Sequence, residues 1–393
     1  MTWMMRALAV APVIVALALG SGCGGSDNGG GHTGNDAGAL ESGGSGGSGG
    51  SDAGADTSTA GSGGADAGTD APADALTDGY VPVPTAASIQ FTAKNPLPTG
   101  EQILFNDWST QPNPVLSMQP DGSGATEIFE AYRIWSMGVS HSGNLIAFAC
   151  GDPEQTQHYS ITLDNTIQNS FLYDATSQSV SVLDYGNIND ECHTFNAADT
   201  HVYVCRRYDF TGGTQPTNKG YRLGSIDIGS KSFGFITPDK LYQMDLHPQP
   251  TADESELYFT RIVITPPNKQ TRTIMQMALP NGTPQVVRNN ASGNTLSPDG
   301  THYAYADWTD NFKLYVSSLD GKSVVKVADN PGTNLVFSPD GTKLAYLRDD
   351  ATANCSHVEV VRTDGSDASS PARIRDCSTT GEIITELAWI THK

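Results

Sequence analysis

From Ile89 onward, short apolar runs alternate with polar turns, and the alternation repeats. The clearest copies are Ser338-Pro-Asp-Gly-Thr-Lys-Leu-Ala-Tyr346 and Ser297-Pro-Asp-Gly-Thr-His-Tyr-Ala-Tyr305. Looser copies are Ala252-Asp-Glu-Ser-Glu-Leu-Tyr-Phe259, Asn196-Ala-Ala-Asp-Thr-His-Val-Tyr-Val204 and Ser140-His-Ser-Gly-Asn-Leu-Ile-Ala-Phe148. The strands they feed begin at Ile146, Val202, Leu257, Tyr303 and Leu344, at spacings of 56, 55, 46 and 41 residues. The motif persists while the spacing varies, so the extra residues belong to loops. A second turn follows each copy, at Asp174-Ala175, Asp227-Ile-Gly229, Asn281-Gly282, Asp320-Gly321 and Asp364-Gly365, between β-rich runs such as KLYVSSL and HVEVVRT. Asn-Gly and Asp-Gly favour tight hairpins because both residues tolerate positive φ. Each unit is therefore two hairpins, and four antiparallel strands in such a period make one propeller blade.

The ends of this region match. Before the first full unit stand Ile103-Leu-Phe105, PVLSM, the turn Asp121-Gly122 and TEIF, three strands that lack a partner for the first. The chain ends in Leu387-Ala-Trp-Ile390, which aligns with the strand Leu335-Val-Phe337 ahead of a Ser-Pro-Asp-Gly turn. One C-terminal strand thus completes a blade begun by three N-terminal ones. With six second turns, the expected fold is all-β: a six-bladed β-propeller of four-stranded antiparallel blades over residues 81–393, after a disordered N-terminal tether. A two-sheet sandwich also fits short strands with turn signals; the repeated motif and the matched ends favour the propeller.

The first 80 residues are a different polymer. Arg6 and the thirteen apolar residues ALAVAPVIVALAL have the length of a signal peptide, short of the roughly 20 residues a membrane-spanning helix needs. Gly20-Ser-Gly-Cys23 follows and resembles the lipobox of bacterial lipoproteins, with Leu19 one place earlier than that family usually has it. The resemblance implies a signal peptide over 1–22 and lipidation of Cys23, whose several acyl chains suffice for stable anchoring. The rival is an ordinary secretory signal that leaves Cys23 a free thiol. Residues 24–80 hold 19 Gly, nine acidic residues and no Lys or Arg. Such a segment cannot bury enough apolar surface to order itself, and residues 23–80 read as a lipidated Cys on a disordered tether with an end-to-end distance of roughly 40 Å. Gly43-Gly-Ser-Gly-Gly47 matches a nucleophile elbow letter for letter, but lacks the strand and helix that give the elbow its function.

The charge narrows the partners. Lys plus Arg is 22 and Asp plus Glu 43, a net charge of −21, which excludes a generic nucleic-acid binder. The Ser-Pro-Asp-Gly strand motif resembles the TolB-like, WD-repeat-like propellers, over roughly Ile89 to Ile390. The α/β domain that precedes the propeller in TolB is replaced here by the tether. Related blades occur in prolyl oligopeptidases and, around a His-bound metal, in oligogalacturonate lyases, which keeps an enzyme reading open.

The chemistry-bearing residues are sparse. His141, His158, His193, His201, His247, His302, His357 and His392 show no zinc spacing and read mostly as surface residues. No catalytic residue, metal site or cofactor is assigned. In an exported protein the cysteines can oxidise, and hairpin register pairs Cys192 with Cys205 and Cys355 with Cys377, leaving Cys150 as a buried small hydrophobe. The loops that stretch the repeat, Gly151 to Asn169, Asp209 to Lys219 and Ile264 to Thr271, leave the second strands on one face. Asp152, Arg207, Arg261, Asp307, Trp308 and Arg348 stand at the same rim. Arginines there suit an acidic partner and Trp308 suits a sugar or peptide, unless these residues pair with one another. The expected function is a membrane-tethered extracytoplasmic binding scaffold in the cell envelope. It would be a monomer at the outer membrane, with an envelope protein or small ligand as partner and no nucleic acid. The alternative is a carbohydrate lyase or hydrolase with its site on the propeller axis.

Overall fold

The computed structural model describes residues 83–154, 167–186, 188–208, 220–265, 269–330, 332–350 and 352–393. The signal segment, Cys23, the tether, His158, the loop Asp209 to Lys219 and much of the loop after Gly151 lie outside them, as do residues 266–268 of the third loop. The rest is a six-bladed β-propeller. Blade 1 comprises β1 (Thr92–Ala93), β2 (Gly100–Asp107), β3 (Asn113–Met118) and β4 (Thr126–Ala131) with the C-terminal β25 (Ile384–His392), in the order β1-β4-β3-β2-β25. Blade 2 is β5 (Ile134–Val139) to β8 (Ser179–Asp184), through β6 (Leu145–Gly151) and β7 (Gln168–Asp174). Blade 3 is β9 (Ile188–Phe195), β10 (His201–Tyr208), β11 (Arg222–Asp227) and β12 (Phe233–Phe235). Blade 4 is β13 (Gln243–Pro250) to β16 (Gln285–Asn289), through β14 (Glu256–Thr265) and β15 (Lys269–Ala278). Blade 5 is β17 (Ala291–Leu296), β18 (His302–Asp307), β19 (Lys313–Ser318) and β20 (Val324–Ala328). Blade 6 is β21 (Thr333–Phe337), β22 (Lys343–Asp350), β23 (Cys355–Arg362) and β24 (Ala372–Arg375). A short helix, α1 (Cys377–Thr380), follows it. No helix among the described residues is long and apolar enough to cross a membrane.

Each blade is sandwiched between two neighbours, so its second strand is buried on both faces and reads as a continuous apolar run. Ile146 to Cys150 and Leu344 to Tyr346 are wholly buried. Six hydrophobic clusters fill the six interfaces between blades. Phe129 of blade 1 meets Phe148, Phe171 and Tyr173 of blade 2. At the closure, Ile103, Phe105 and Trp389 meet Leu347 and Val358 of blade 6. The interface between blades 4 and 5 is rich in tyrosine, with Tyr258 stacked on Tyr303.

The turn between the first two strands is one device in five sequence variants. In each, the leading side chain accepts the backbone N–H that opens the second strand: Leu145 to Ser140, His201 to Asn196, Glu256 to Thr251, His302 to Ser297 and Lys343 to Ser338, at 2.8–3.1 Å. The positive φ that Gly300 and Gly341 supply is taken by Gly143, Asp199 and Glu254 in the looser copies. The last two use their side chains as clasps. Asp199 accepts from the backbone of His141 and Ser142 at 2.7 and 2.9 Å, and Glu254 accepts from Asn196 at 2.7 Å, each binding the preceding blade's turn.

Both expected disulfides are present, with Cα–Cα distances of 5.6 Å for Cys192–Cys205 and 5.9 Å for Cys355–Cys377. Cys150 is free and buried, and burial pushes its thiol well up.

Candidate functional site

The innermost strands β25, β5, β9, β13, β17 and β21 ring the propeller axis and line a cavity of about 540 Å³. All six carry a register shift against their second strand. A bulge sets two residues against one and redirects a side chain. Cys192, His247, Gly293 and Asn334 sit at these bulges with φ of 50–68°. Each lies four residues before the turn-capping residue of its blade. The bulges free backbone groups, and asparagines take them up. Asn334 donates to the Thr385 carbonyl at 2.9 Å and accepts from Leu387 N–H at 3.1 Å. Asn106 accepts from Glu386 N–H at 2.9 Å, and Asn294 donates to the His247 carbonyl at 3.3 Å.

Several ionisable groups on the cavity wall are shifted by burial. Glu386, from β25, is pushed up to about 8, and the Glu191 carboxylate adds to the effect. Burial also raises Glu191, against the lowering effect of the Tyr221 hydroxyl, which donates to it at 2.7 Å. His247 keeps accessible surface, but that surface faces a walled cavity, and desolvation lowers its imidazole to about 4. Arg272, from β15, reaches the wall between β13 and β17. Its guanidinium lies 4.1 Å from the centroid of Trp308, whose ring packs edge-on against Phe312 at 4.9 Å.

A second polar system runs outward from the wall. Ser136 Oγ lies 2.7 Å from His193 Nδ1, His193 Nε2 lies 2.9 Å from Ser170 Oγ, and Ser170 donates to Asp190 at 2.6 Å. Because Ser170 spends its proton on Asp190, it accepts from Nε2–H, which leaves Nδ1 to accept from Ser136. Asp190 is held at both oxygens by Arg206, each at 2.6 Å. His193 is buried and lowered to about 4, chiefly by desolvation, so it is neutral.

Of the six rim residues expected from sequence, Asp152, Arg207, Asp307, Trp308 and Arg348 stand at or near the ends of second strands, Arg261 lies midway along β14, and their charged groups are engaged. Arg261 makes a two-point pair with Asp245 at 2.7 and 2.9 Å. Arg348 donates to Glu359 at 2.9 Å, and Asp152 accepts from Ser88 at 3.0 Å. Asp307 caps its own turn through Thr309 N–H at 2.8 Å, Arg207 is buried, and Trp308 supports Arg272 from behind the wall. The expectation of surface histidines needs correction. His193 and His357 are buried, the latter between Asp350 and Asp376 at 3.2 Å each, and His247 faces the axis. His193 and His247 lie on inner strands around the axis, and His357 is covered by the segment after β24, whose Cys377 N–H donates to it at 3.2 Å. Arg272, Glu386 and Glu191 were not singled out from sequence. The fixed offset before each turn was the available signal for the bulge ring. Among the described residues, no three His, Cys, Asp or Glu side chains converge to hold a metal ion.

No protein-family model and no curated protein matches the sequence. Solved structures do. TolB from Acinetobacter baumannii is similar over 77% of this chain and 68% of its own, at 14% identity and a TM-score of 0.52. Kuenenia stuttgartiensis hydrazine synthase is similar over 76% of this chain and 48% of its own, at 9% identity and 0.54. An oligogalacturonate lyase from Vibrio parahaemolyticus reaches 0.38 at 13% identity, over 69% of this chain and 71% of its own. At these identities the first two likenesses are ones of fold, that of a TolB-like propeller, and the third carries no weight.

Proposed function

We propose that this chain is a binding propeller of the cell envelope, with its ligand site in the axial cavity. The observation that carries the reading is the wall itself. Six inner strands converge on a concave space within the usual size of ligand sites, and bulges on every one of them bring polar groups to it. Residues 1–22 would direct export, Cys23 would carry the lipid, residues 23–80 would be the tether and residues 81–393 the propeller. The mature protein would sit as a monomer at the outer membrane. Intact mass of the native protein and of Cys23→Ser tests the anchor: a native mass equal to the bare polypeptide overturns it. Native mass spectrometry of protein purified from envelopes tests the cavity. Gln249→Trp places an indole where a half-buried lining amide stands, and is expected to lose any small molecule the wild type retains.

A hydrolase is the second reading, and the Ser136–His193 system on the wall favours it. It has a nucleophile and a base in hydrogen-bond reach, but the base is oriented by a neutral hydroxyl rather than a carboxylate. A serine-directed fluorophosphonate that labels wild type but not Ser136→Ala would establish it; absence of labelling in folded protein removes it.

A further inference from the structure

Several arginines of this acidic protein have acids beside them. Arg206, Arg261, Arg348, Arg373 and Arg375 each pair with a carboxylate. Arg272 makes no ion pair among the described residues, and its Nε is buried with no hydrogen-bond partner. It is the one Arg or Lys among the residues lining the axial cavity. A desolvated cation without a counter-charge is costly to keep. Burial alone lowers it to about 10, with no acid acting to raise it, and at that value it remains charged at neutral pH. Glu386 and Glu191 come from blades 1 and 3, which flank blade 2, whereas Arg272 reaches the wall between blades 4 and 5. The cavity therefore has a cationic side and an acidic side.

We propose that the axial cavity takes a small organic carboxylate whose acid group docks on Arg272. The Trp308 ring, 4.1 Å from the guanidinium carbon, covers one face of the guanidinium and leaves its in-plane N–H groups as the way to meet a ligand. One planar fork matches one carboxylate at two points. No second Lys or Arg lines the wall, as a phosphate dianion would ask for. The body of the ligand meets Leu246, Ile262, Phe312 and Leu335, an apolar arc beside the arginine.

This inference rests on the axial cavity being the ligand site. Calorimetric titration of the full chain with 4-phenylbutyrate and 4-phenylbutyramide tests it in wild type, Arg272→Gln, Arg272→Lys and Gln249→Trp. The acid is expected to bind wild type at least about tenfold more tightly than the amide. Arg272→Gln should erase that preference and Arg272→Lys keep part of it. Without ligand, Arg272→Gln should unfold at an equal or higher urea midpoint, since it removes an unpaired buried charge. Acid binding that survives Arg272→Gln overturns the proposal, and so does failure of the acid to bind the folded wild type. If acid and amide bind equally and both are lost in Gln249→Trp, the cavity is a ligand site but not a carboxylate site. Binding that persists in Gln249→Trp overturns the cavity reading itself.

Discussion

Glu386 and the axial histidines should pull stability in opposite directions as pH changes. Glu386 titrates near 8 in the folded protein against an ordinary 4.5. Between those values the folded state holds a proton that the unfolded chain has released, so stability falls as pH rises through the window. Urea unfolding at pH 4, 6 and 8 should show Glu386→Gln gaining on wild type as pH increases; a constant difference would refute the assignment. His193 and His247, lowered to about 4 from 6.5, act the other way. The unfolded chain binds their protons first, so their contribution is full above 6.5 and is lost as pH falls toward 4. Arg261 gives a further test. Removing it strands the buried Asp245 carboxylate, and Arg261→Ala should cost about 3 kcal/mol in urea unfolding, while leaving binding of axial ligands unchanged. A rim binding residue would show the reverse. Little of this was legible in the sequence. Arg272 sits in KQTRTIMQMA, which reads as an ordinary strand, and its isolation depends on residues more than twenty positions away in another blade.

Turns and hairpins were far more legible, because their chemistry is local. Ser-Pro-Asp-Gly needs only its own five or six residues to be recognised, and the cysteine pairs followed from hairpin register. What the pattern hid was that a missing glycine is a substitution with a purpose. Asp199 occupies the positive-φ position and binds two backbone N–H groups of the neighbouring blade. Asp199→Gly relieves the backbone but removes the clasp. The hydrogen bonds to a charged acceptor outweigh the relief, so a loss of about 1 kcal/mol is expected, with Asp199→Asn closer to wild type. A gain in the unfolding midpoint of the glycine variant would show that the clasp contributes nothing. The Cys192–Cys205 bridge closes a loop of 13 residues at the bulge of β9. Its reduction, or the double serine variant, should lower stability by about 3 kcal/mol in urea unfolding, through loss of the loop-closure constraint.

At the scale of the whole molecule, the ring is closed by one strand from the far end of the chain. β25 pairs with β2 from Gly100↔His392 to Asp107↔Ile384, and Trp389 donates to Glu101 at 2.7 Å. It also supplies Ala388 and Ile390 to the cluster shared with blade 2, and Leu387 and Trp389 to the cluster shared with blade 6. Loss of this strand therefore opens two interfaces and exposes the inner edge of β2, rather than trimming one blade. It also removes Glu386 from the axial wall. A chain ending at 383 should lose cooperative unfolding and the axial ligand together. Because the missing piece is a strand with a fixed register and its own apolar face, a synthetic peptide of residues 384–393 should add back along β2, as strand complementation does elsewhere. Recovery of a single sharp unfolding transition on titrating that peptide, with a weaker response to a Trp389→Ala peptide, is the expected result. A truncated chain that unfolds as sharply as the full one without peptide would show that the other four interfaces hold the ring by themselves.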